Sequence, residues 1–335
     1  MSESKVTVLN NGIVFDVPFD QCILDAGLAK GIALPHQCRG ASCGQCKAHI
    51  EHGTVDHGWS FGFAITDEEK EQGYCLMCQA HPTSPELSIR TVEPFGEAIA
   101  PVVQLQGQVV AIEQLNHRVR RIIVQTSNAA QLFRPGAYAE IELPGITPNR
   151  MYSYSNGATD AGQLEFLVSL HPGGKASTYL HEQLRVGQVI DLKGPFGTCR
   201  LPEGNWNVLG MAGGTGLAPV ISIFEHALAS GATEDFLLLF SVLKDADVFE
   251  LARLNRLQMA YPNFKYEMVV AEAPSVFCAQ TGLITEYLRS RFDSLQGWRA
   301  VLSGSPGFVD AATTACVDLG MAQDAMSADS FTNVA

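Results

Sequence analysis

Apolar and polar residues alternate through Val6-Thr7-Val8-Leu9 and again through Gly12-Ile13-Val14-Phe15-Asp16-Val17, the spacing of strands buried on one face. Asn10-Asn11-Gly12 between them predicts a hairpin turn. The period then lengthens. Cys22 to Lys30 places Ile23, Ala26, Leu28 and Ala29 on one apolar face, which predicts a helix. Cys46 to Ile50 reads as a strand. Thr66 to Lys70 reads as a helix start in which Thr66 and Glu69 match a capping box, and Glu86 to Val92 reads as a closing strand. Residues 1–93 are thus expected to form a small α+β unit. Residues 94–103, with Gly96 and Pro101, are expected to form a linker.

Strand-like runs dominate the next hundred residues: Gln104–Ala111, Val119–Val124, Tyr138–Leu143, Leu164–Leu170 and Gln188–Leu192. Short strands at this spacing, parted by Gly and Pro turns, predict an antiparallel β-barrel over 104–202. After Asn205 the pattern changes. Val208–Ala212, Phe236–Phe240, Tyr266–Val270 and Ala300–Gly304 are near-continuous apolar runs separated by helical segments. That is the signature of parallel strands buried on both faces, so an open parallel α/β domain is expected over 203–335.

A chain of 335 residues, 46% hydrophobic and 17% charged, fits two or three packed domains. Met1-Ser2-Glu3-Ser4-Lys5 lacks the basic and apolar runs of a signal peptide, and no apolar stretch reaches the ~20 residues of a membrane helix. A cytoplasmic protein without a membrane partner is expected. The net charge of −13 argues against nucleic acid and favours a basic protein surface as partner. Of nine cysteines, Cys22, Cys75, Cys199, Cys278 and Cys316 are scattered and odd in number, as free thiols in a reducing compartment would be.

The other four form a pattern. Cys38, Cys43 and Cys46 stand as C-x4-C-x2-C, with Cys78 following at a distance, the plant-type spacing of a [2Fe-2S] cluster, which carries one electron at a time. Gly40 and Gly44 let the backbone wrap closely, with amides free to meet cluster sulfurs. A structural zinc site on the same cysteines fits the spacing poorly, and Cys75 stands as an alternative fourth ligand to Cys78. Residues 1–93 resemble plant-type ferredoxins, which implies a β-grasp-like fold. That family usually has C-R-x-G-x-C, whereas here Ala41 stands at the glycine position and Gly40 comes one place earlier.

Arg150, Tyr152 and Ser153, just after a barrel strand, offer a guanidinium for phosphate, an aromatic cover for a flavin ring and a hydroxyl for its edge. Gly173, Gly174 and Ser177 open a helix whose free amides favour a pyrophosphate. Together these strings resemble the R-x-Y-S and G-x-x-S motifs of the ferredoxin-NADP reductase superfamily, implying FAD. Further on, Gly213, Gly214, Thr215, Gly216 and Pro219 form a glycine turn between a buried strand and an apolar helix, and resemble that superfamily's nucleotide loop. Ser303-Gly304-Ser305-Pro306 resembles its C-G-P-P or C-G-S-P string, with Ser303 in the position beside the nicotinamide. Asp329-Ser330-Phe331 resembles the D-x-F ending in which the aromatic packs near the flavin. The resemblance casts Ser153 and Ser303 as the catalytic residues. Phe240 to Phe249 holds Lys244, Asp245 and Asp247 but no arginine, which favours NADH over NADPH.

In this order the three units resemble the reductase components of bacterial multicomponent oxygenases. The resemblance implies electrons from NADH passing through FAD and the [2Fe-2S] cluster to a terminal oxygenase or an intermediary ferredoxin, foremost in a Rieske-type aromatic-ring dioxygenase system. Alternatives are the reductase of a soluble di-iron monooxygenase or of a deoxysugar dehydrase, and a non-enzymatic redox carrier or sensor. No acid–base dyad is needed, so His36 is expected to serve packing or a partner-facing surface.

Overall fold

The computed structural model describes residues 3–93, 101–127, 133–157, 162–277 and 281–331. The chain divides into two compact units, the first ending at Val103 and the second running from Gln104 to Phe331. Most of the expected linker, 94–100, lies outside the described residues.

In the first unit β1 (Glu3–Val8) and β2 (Ile13–Pro18) form the antiparallel hairpin that Asn10-Asn11-Gly12 predicts. β3 (Lys47–His52), β5 (Tyr74–Leu76) and β7 (Glu86–Thr91) complete a mixed sheet in the order β2-β1-β7-β3-β5, while β4 (Val55–Asp56) pairs with β6 (His81–Pro82). Every second residue of β1 and β7 is buried, and Val6, Val8, Leu87 and Ile89 join Ile23, Leu24 and Leu28 of α1 (Ile23–Ala29) in the core. The short helix α2 (Asp67–Glu71) starts at a complete capping box, Glu69 N–H donating to Thr66 Oγ1 at 3.2 Å and Thr66 N–H to Glu69 Oε2 at 3.0 Å.

The second unit contains two sheets. β8 (Val103–Gln114), β9 (Val119–Gln125), β10 (Tyr138–Leu143), β11 (Ile146–Ser153), β12 (Gln163–Ser169) and β13 (Val189–Phe196) lie in the order β11-β10-β13-β8-β9-β12. This sheet curls but does not close, which corrects the expected barrel. Among the described residues its edges β11 and β12 are joined by the Tyr154–Phe166 bridge and by Ser155 N–H to Glu165 O (2.8 Å). On the far side of the bridge β11 pairs with β10 and Leu167–Ser169 pair with β9, with no ladder between β11 and β12 among the described residues. The string Arg150–Ser153 lies within β11, not after a strand.

The other sheet is parallel: β14 (Asn207–Gly213), β15 (Phe236–Val242), β16 (Phe264–Val270), β17 (Trp298–Gly304) and β18 (Met326–Ser330), ordered β16-β15-β14-β17-β18. Neighbouring positions along each strand serve opposite faces. Val208, Leu238, Phe240 and Val301 pack with α4 (Leu217–Ala229) and α5 (Leu251–Ala260), whereas Leu209, Leu239 and Leu302 pack with α6 (Ile284–Arg291) and α7 (Pro306–Asp318). The first of these cores also takes in Val119 of β9, Leu167 of β12 and Cys199, so the curled and parallel sheets share one hydrophobic interior. Among the described residues no helix is long and apolar enough to cross a membrane.

A buried ion network spans the same junction. Arg253 of α5 bonds to Glu165 of β12 (2.6 Å), Glu225 of α4 (2.7 Å) and the Ser155 carbonyl (2.7 Å). Arg121 of β9 reaches Glu250 (2.5 Å) and Glu113 (2.6 Å). Burial pulls the Arg253 guanidinium down, but the acids around it outweigh that and hold it above its ordinary range. Removing Arg253 leaves buried carboxylates without their counter-ion, which typically costs 3–5 kcal/mol. Arg253→Met should therefore lose about that much stability by thermal or urea unfolding, while Arg289→Ala, at an exposed pair with Asp318, should lose under about 1 kcal/mol. Equal small losses in both would show that the junction does not depend on the network.

Candidate cofactor sites

The cysteine loop is shaped around sulfur. Cys38, Cys46 and Cys78 are buried and Cys43 is half-buried. Backbone N–H groups of Gly40, Ser42 and Cys43 point at Cys38 Sγ at 3.4, 3.4 and 3.3 Å. To do so the chain turns left-handed at Arg39 (φ 49°), Ala41 (φ 55°) and Gly44 (φ 75°), and a non-glycine residue held there costs about 1–3 kcal/mol. Ala41 thus adopts the conformation that glycine serves in the ferredoxin pattern. Arg39 ties the loop to α1 through Asp25 at 2.6 Å. Cys38 N–H donates to Cys43 Sγ at 3.5 Å, and the side chains of Cys43 and Cys38, and of Cys46 and Cys78, neighbour each other, so the four approach as two pairs. Among the described residues no three His, Cys, Asp or Glu side chains converge as ligands of a single ion. An arrangement in two pairs is one that a two-iron cluster can use. Cys75 is fully buried on β5 opposite Ala48, and burial pushes its thiol up to about 12. His36 is buried with Nδ1 2.7 Å from the Leu34 carbonyl, which makes it a packing residue of the loop entry.

On β11, Arg150 and Tyr152 are two residues apart and share a face, while Ser153 is buried. The short helix α3 (Lys175–Thr178), with Gly174 as N-cap, packs beside this strand. Gly173 is left-handed (φ 76°) and faces open space, so backbone there can meet a ligand closely. The Ser177 hydroxyl is already used, accepting from His171 N–H at 3.1 Å and donating to Gly174 O at 3.1 Å. These bonds shape the turn.

At the carboxyl edge of the parallel sheet, the Gly214–Gly216 turn leads into α4, with Thr215 half-exposed and Pro219 in the helix's first turn. Gly214 is left-handed (φ 55°) and open to solvent. Gly216 is required by crowding: a Cβ there would stand 2.3 Å from Ser303 O. Gly213 and Gly304 both back onto the Phe308 ring, where a Cβ would lie within 2.9 and 2.8 Å. Ser303 is fully buried, and its hydroxyl has no hydrogen-bond partner among the described residues. Phe331 N–H donates to Gly304 O at 2.8 Å, bringing that aromatic to the same edge.

The sheet register places Asp329 beside Ser303, and Ser153 Oγ donates to Asp329 Oδ2 at 3.0 Å. One hydrogen bond therefore joins β11 of the curled sheet to β18 of the parallel sheet, next to an unpartnered hydroxyl. Burial pushes the Asp329 carboxyl up to about 6, the Ser153 bond drawing it partly back. Sequence reading reached Asp329 only as part of a terminal string; a buried carboxylate has no sequence mark of its own. Beyond β15, Asp247 is held by Lys244 N–H (3.2 Å), and Asp245 accepts Val276 N–H on one oxygen (2.9 Å) while its other oxygen is buried without a partner among the described residues.

Comparison with known proteins agrees with this geometry. Residues 6–83 match the 2Fe-2S iron-sulfur cluster binding domain, 106–201 the oxidoreductase FAD-binding domain and 211–314 the oxidoreductase NAD-binding domain. The reductase component of a naphthalene 1,2-dioxygenase system from Pseudomonas putida is 34% identical over 92% of this chain and 93% of its own length. The xylene/toluene monooxygenase electron transfer component of the same species is 33% identical over 99% of this chain and 94% of its own. The crystal structure of an Amycolatopsis cytochrome P450 reductase superposes with a TM-score of 0.93 at 29% identity, covering 99% of this chain and all of that one. Three matched domains in this order, with relatives similar over nearly their whole length, place the chain in the family of NADH-dependent reductases that join a [2Fe-2S] ferredoxin domain to FAD- and NAD-binding oxidoreductase domains.

Proposed function

We propose that the protein is the reductase component of an oxygenase system, supplying electrons from NADH to a terminal oxygenase or an intermediary ferredoxin, foremost of an aromatic-ring-hydroxylating dioxygenase. In this reading residues 1–93 are the cluster domain, 94–103 the linker, 104–202 the FAD domain and 203–335 the NAD domain. The bound groups supply the electron chemistry: nicotinamide gives a hydride, flavin can take two electrons and part with them singly, and a cluster accepts one.

The protein's residues hold and order these groups. Cys38, Cys43, Cys46 and Cys78 would hold the cluster. Arg150 and Tyr152 would bind the flavin, with the backbone around Gly173 and Gly174 on its pyrophosphate and Phe331 at its ring. The turn Gly213, Gly214, Thr215 and Gly216, fixed by Pro219, would receive the nicotinamide dinucleotide, with Gly304 allowing close approach. The buried Ser303 hydroxyl and the Ser153–Asp329 pair would act where the two sheets meet. The Ser153–Asp329 hydrogen bond carries the reading, because it makes flavin strand and nucleotide sheet parts of one site. With its carboxyl near 6, Asp329 is ionised at neutral pH and, as acceptor of its hydrogen bond, orients the Ser153 hydroxyl. The unpartnered Asp245 oxygen suits a ribose hydroxyl and repels a 2′-phosphate, in keeping with NADH.

The partner's identity is a separate matter. The relatives' names attach them to a dioxygenase, a monooxygenase and a cytochrome P450, so one module serves unlike oxygenases. The similarity to the xylene/toluene monooxygenase component keeps a monooxygenase system as the second reading. A reducing cytoplasm fits Cys22, Cys75, Cys199 and Cys316, the described cysteines outside the cluster set, none of them in a disulfide.

Purified protein should contain two irons, two labile sulfides and one FAD per chain. Cys43→Ser should lose the cluster yet keep NADH-driven ferricyanide reduction within about threefold of wild type, because the two compact units have separate cores. Zinc in place of iron, or flavin reduction lost with the cluster in a folded variant, would refute the assignment.

Asp329 gives a pH test. Its carboxyl is raised from 3.8 to about 6 in the fold, so its favourable contribution is complete below pH 3.8 and is lost as pH rises through 6. At neutral pH the buried carboxylate then costs on the order of 3 kcal/mol. Asp329→Asn should raise thermal stability at neutral pH, the gain shrinking toward pH 4, while NADH-dependent flavin reduction slows. A gain independent of pH would contradict the burial argument.

A further inference from the structure

Three aromatic rings stand in solvent beside the cysteine loops. Trp59, Phe61 and Phe63 are 62%, 38% and 77% exposed. They stack as a ladder, Trp59 edge-on to Phe61 at 4.4 Å and Phe61 nearly parallel to Phe63 at 5.1 Å. Single exposed apolar residues are ordinary, but contiguous rings kept in water mark an interaction surface.

The ladder is fixed to both parts of the cluster site. Phe61 N–H donates to the Ala41 carbonyl at 3.3 Å, between Cys38 and Cys43, and the Phe61 carbonyl accepts from Ala64 N–H at 2.9 Å. On the other side Gly58 (φ 60°) lies so close to Gln79, the residue after Cys78, that a Cβ would stand 2.7 Å from the Gln79 carbonyl. The rings are therefore held over the segments that carry both cysteine pairs.

Acidic residues border them. Asp56 precedes the ladder and α2 follows it with Asp67, Glu68, Glu69 and Glu71 against Lys70. Lys70 is occupied by Asp67 at 3.2 Å and Glu69 by Lys47 at 2.6 Å, which leaves the exposed Glu68 and Glu71 without an ion pair among the described residues. Residues 1–93 hold twelve Asp and Glu against six Lys and Arg. An aromatic centre within a charged rim is the anatomy of a protein-docking face, and the sign of the rim selects a basic partner.

We propose that the Trp59–Phe61–Phe63 ladder is the docking surface for the protein that takes electrons from the cluster, a one-electron acceptor whose redox centre lies beneath an apolar face rimmed by basic side chains. One electron leaves the reduced cluster and one arrives at the acceptor; no bond changes. The proposal rests on the electron route given above. Aromatic anchors supply most of the energy of such contacts, and the rings' attachment to the cysteine loops seats the acceptor where transfer is shortest.

The test uses the full-length holoenzyme with Trp59 and Phe63 both changed to serine, and cytochrome c, a small basic haem protein, as acceptor. Both side chains are mostly in solvent, so the cluster's visible spectrum, NADH-driven ferricyanide reduction and the stopped-flow rate of cluster reduction by NADH should match wild type. The kcat/KM for cytochrome c should fall at least about tenfold, through KM. An unchanged kcat/KM with normal cluster reduction would overturn the docking assignment while leaving the electron route standing. Slowed cluster reduction in the variant would also overturn it, by assigning the ladder to transfer within the chain. Failure of NADH to reduce the cluster in wild type would overturn the route and the proposal together.

Discussion

Arg253 holds together two sheets that the chemistry needs in contact. Its guanidinium reaches Glu165 on the last strand of the curled sheet, the Ser155 carbonyl two residues beyond Ser153, and Glu225 on the helix that follows the nucleotide turn. A single fork thus ties the end of the flavin strand to the helix behind the glycine loop. Hydride transfer tolerates little misplacement of its partners, and the groups that would bracket it come from β11, β17 and β18. Their alignment depends on a junction made of charge as well as apolar packing, because a shared hydrophobic core alone permits sliding whereas bidentate pairs fix direction.

That rigidity contrasts with the division of labour along the chain. The curled and parallel sheets form one compact unit with one interior, as a two-electron step between two bound groups requires. The cluster unit has its own core and its own strained loop. One-electron transfer works across a gap and needs proximity, not bond-making alignment, so this unit can be a separate body. Ser303 fits the same logic: its hydroxyl is small, buried and unpartnered, a polar contact reserved at the carboxyl edge of the sheet.

How much of this could be read from the sequence varies with the physical signal. Period-two alternation found β1, β2 and β7, and Thr66 with Glu69 announced a capping box that the structure completes. Near-continuous apolar runs found β14 to β17, since strands buried on both faces have no polar positions to confuse them. β18, Met-Ser-Ala-Asp-Ser, is too short and polar to announce itself, yet it carries Asp329. β11, with Pro148 and Asn149 inside it, lacks the alternation that marks a strand. Openness of the curled sheet follows from β11 and β12 parting past a single bridge, a tertiary feature without a sequence mark. The spacing of the cysteines was legible, but their approach in pairs is a tertiary feature. A helix-opening serine such as Ser177 reads the same in the sequence whether its hydroxyl serves a phosphate or, as its bond from His171 N–H shows, its own turn.

The central claim is that sheet alignment through Arg253 governs the reaction between the bound groups. Arg253→Lys keeps the charge but cannot make the fork to Glu165, Glu225 and Ser155 at once. Anaerobic stopped-flow at saturating NADH measures the flavin-bleaching rate in the folded, FAD-loaded variant directly. The account predicts a rate lower by about tenfold or more, with the cluster's spectrum unchanged. Bleaching at the wild-type rate would contradict it.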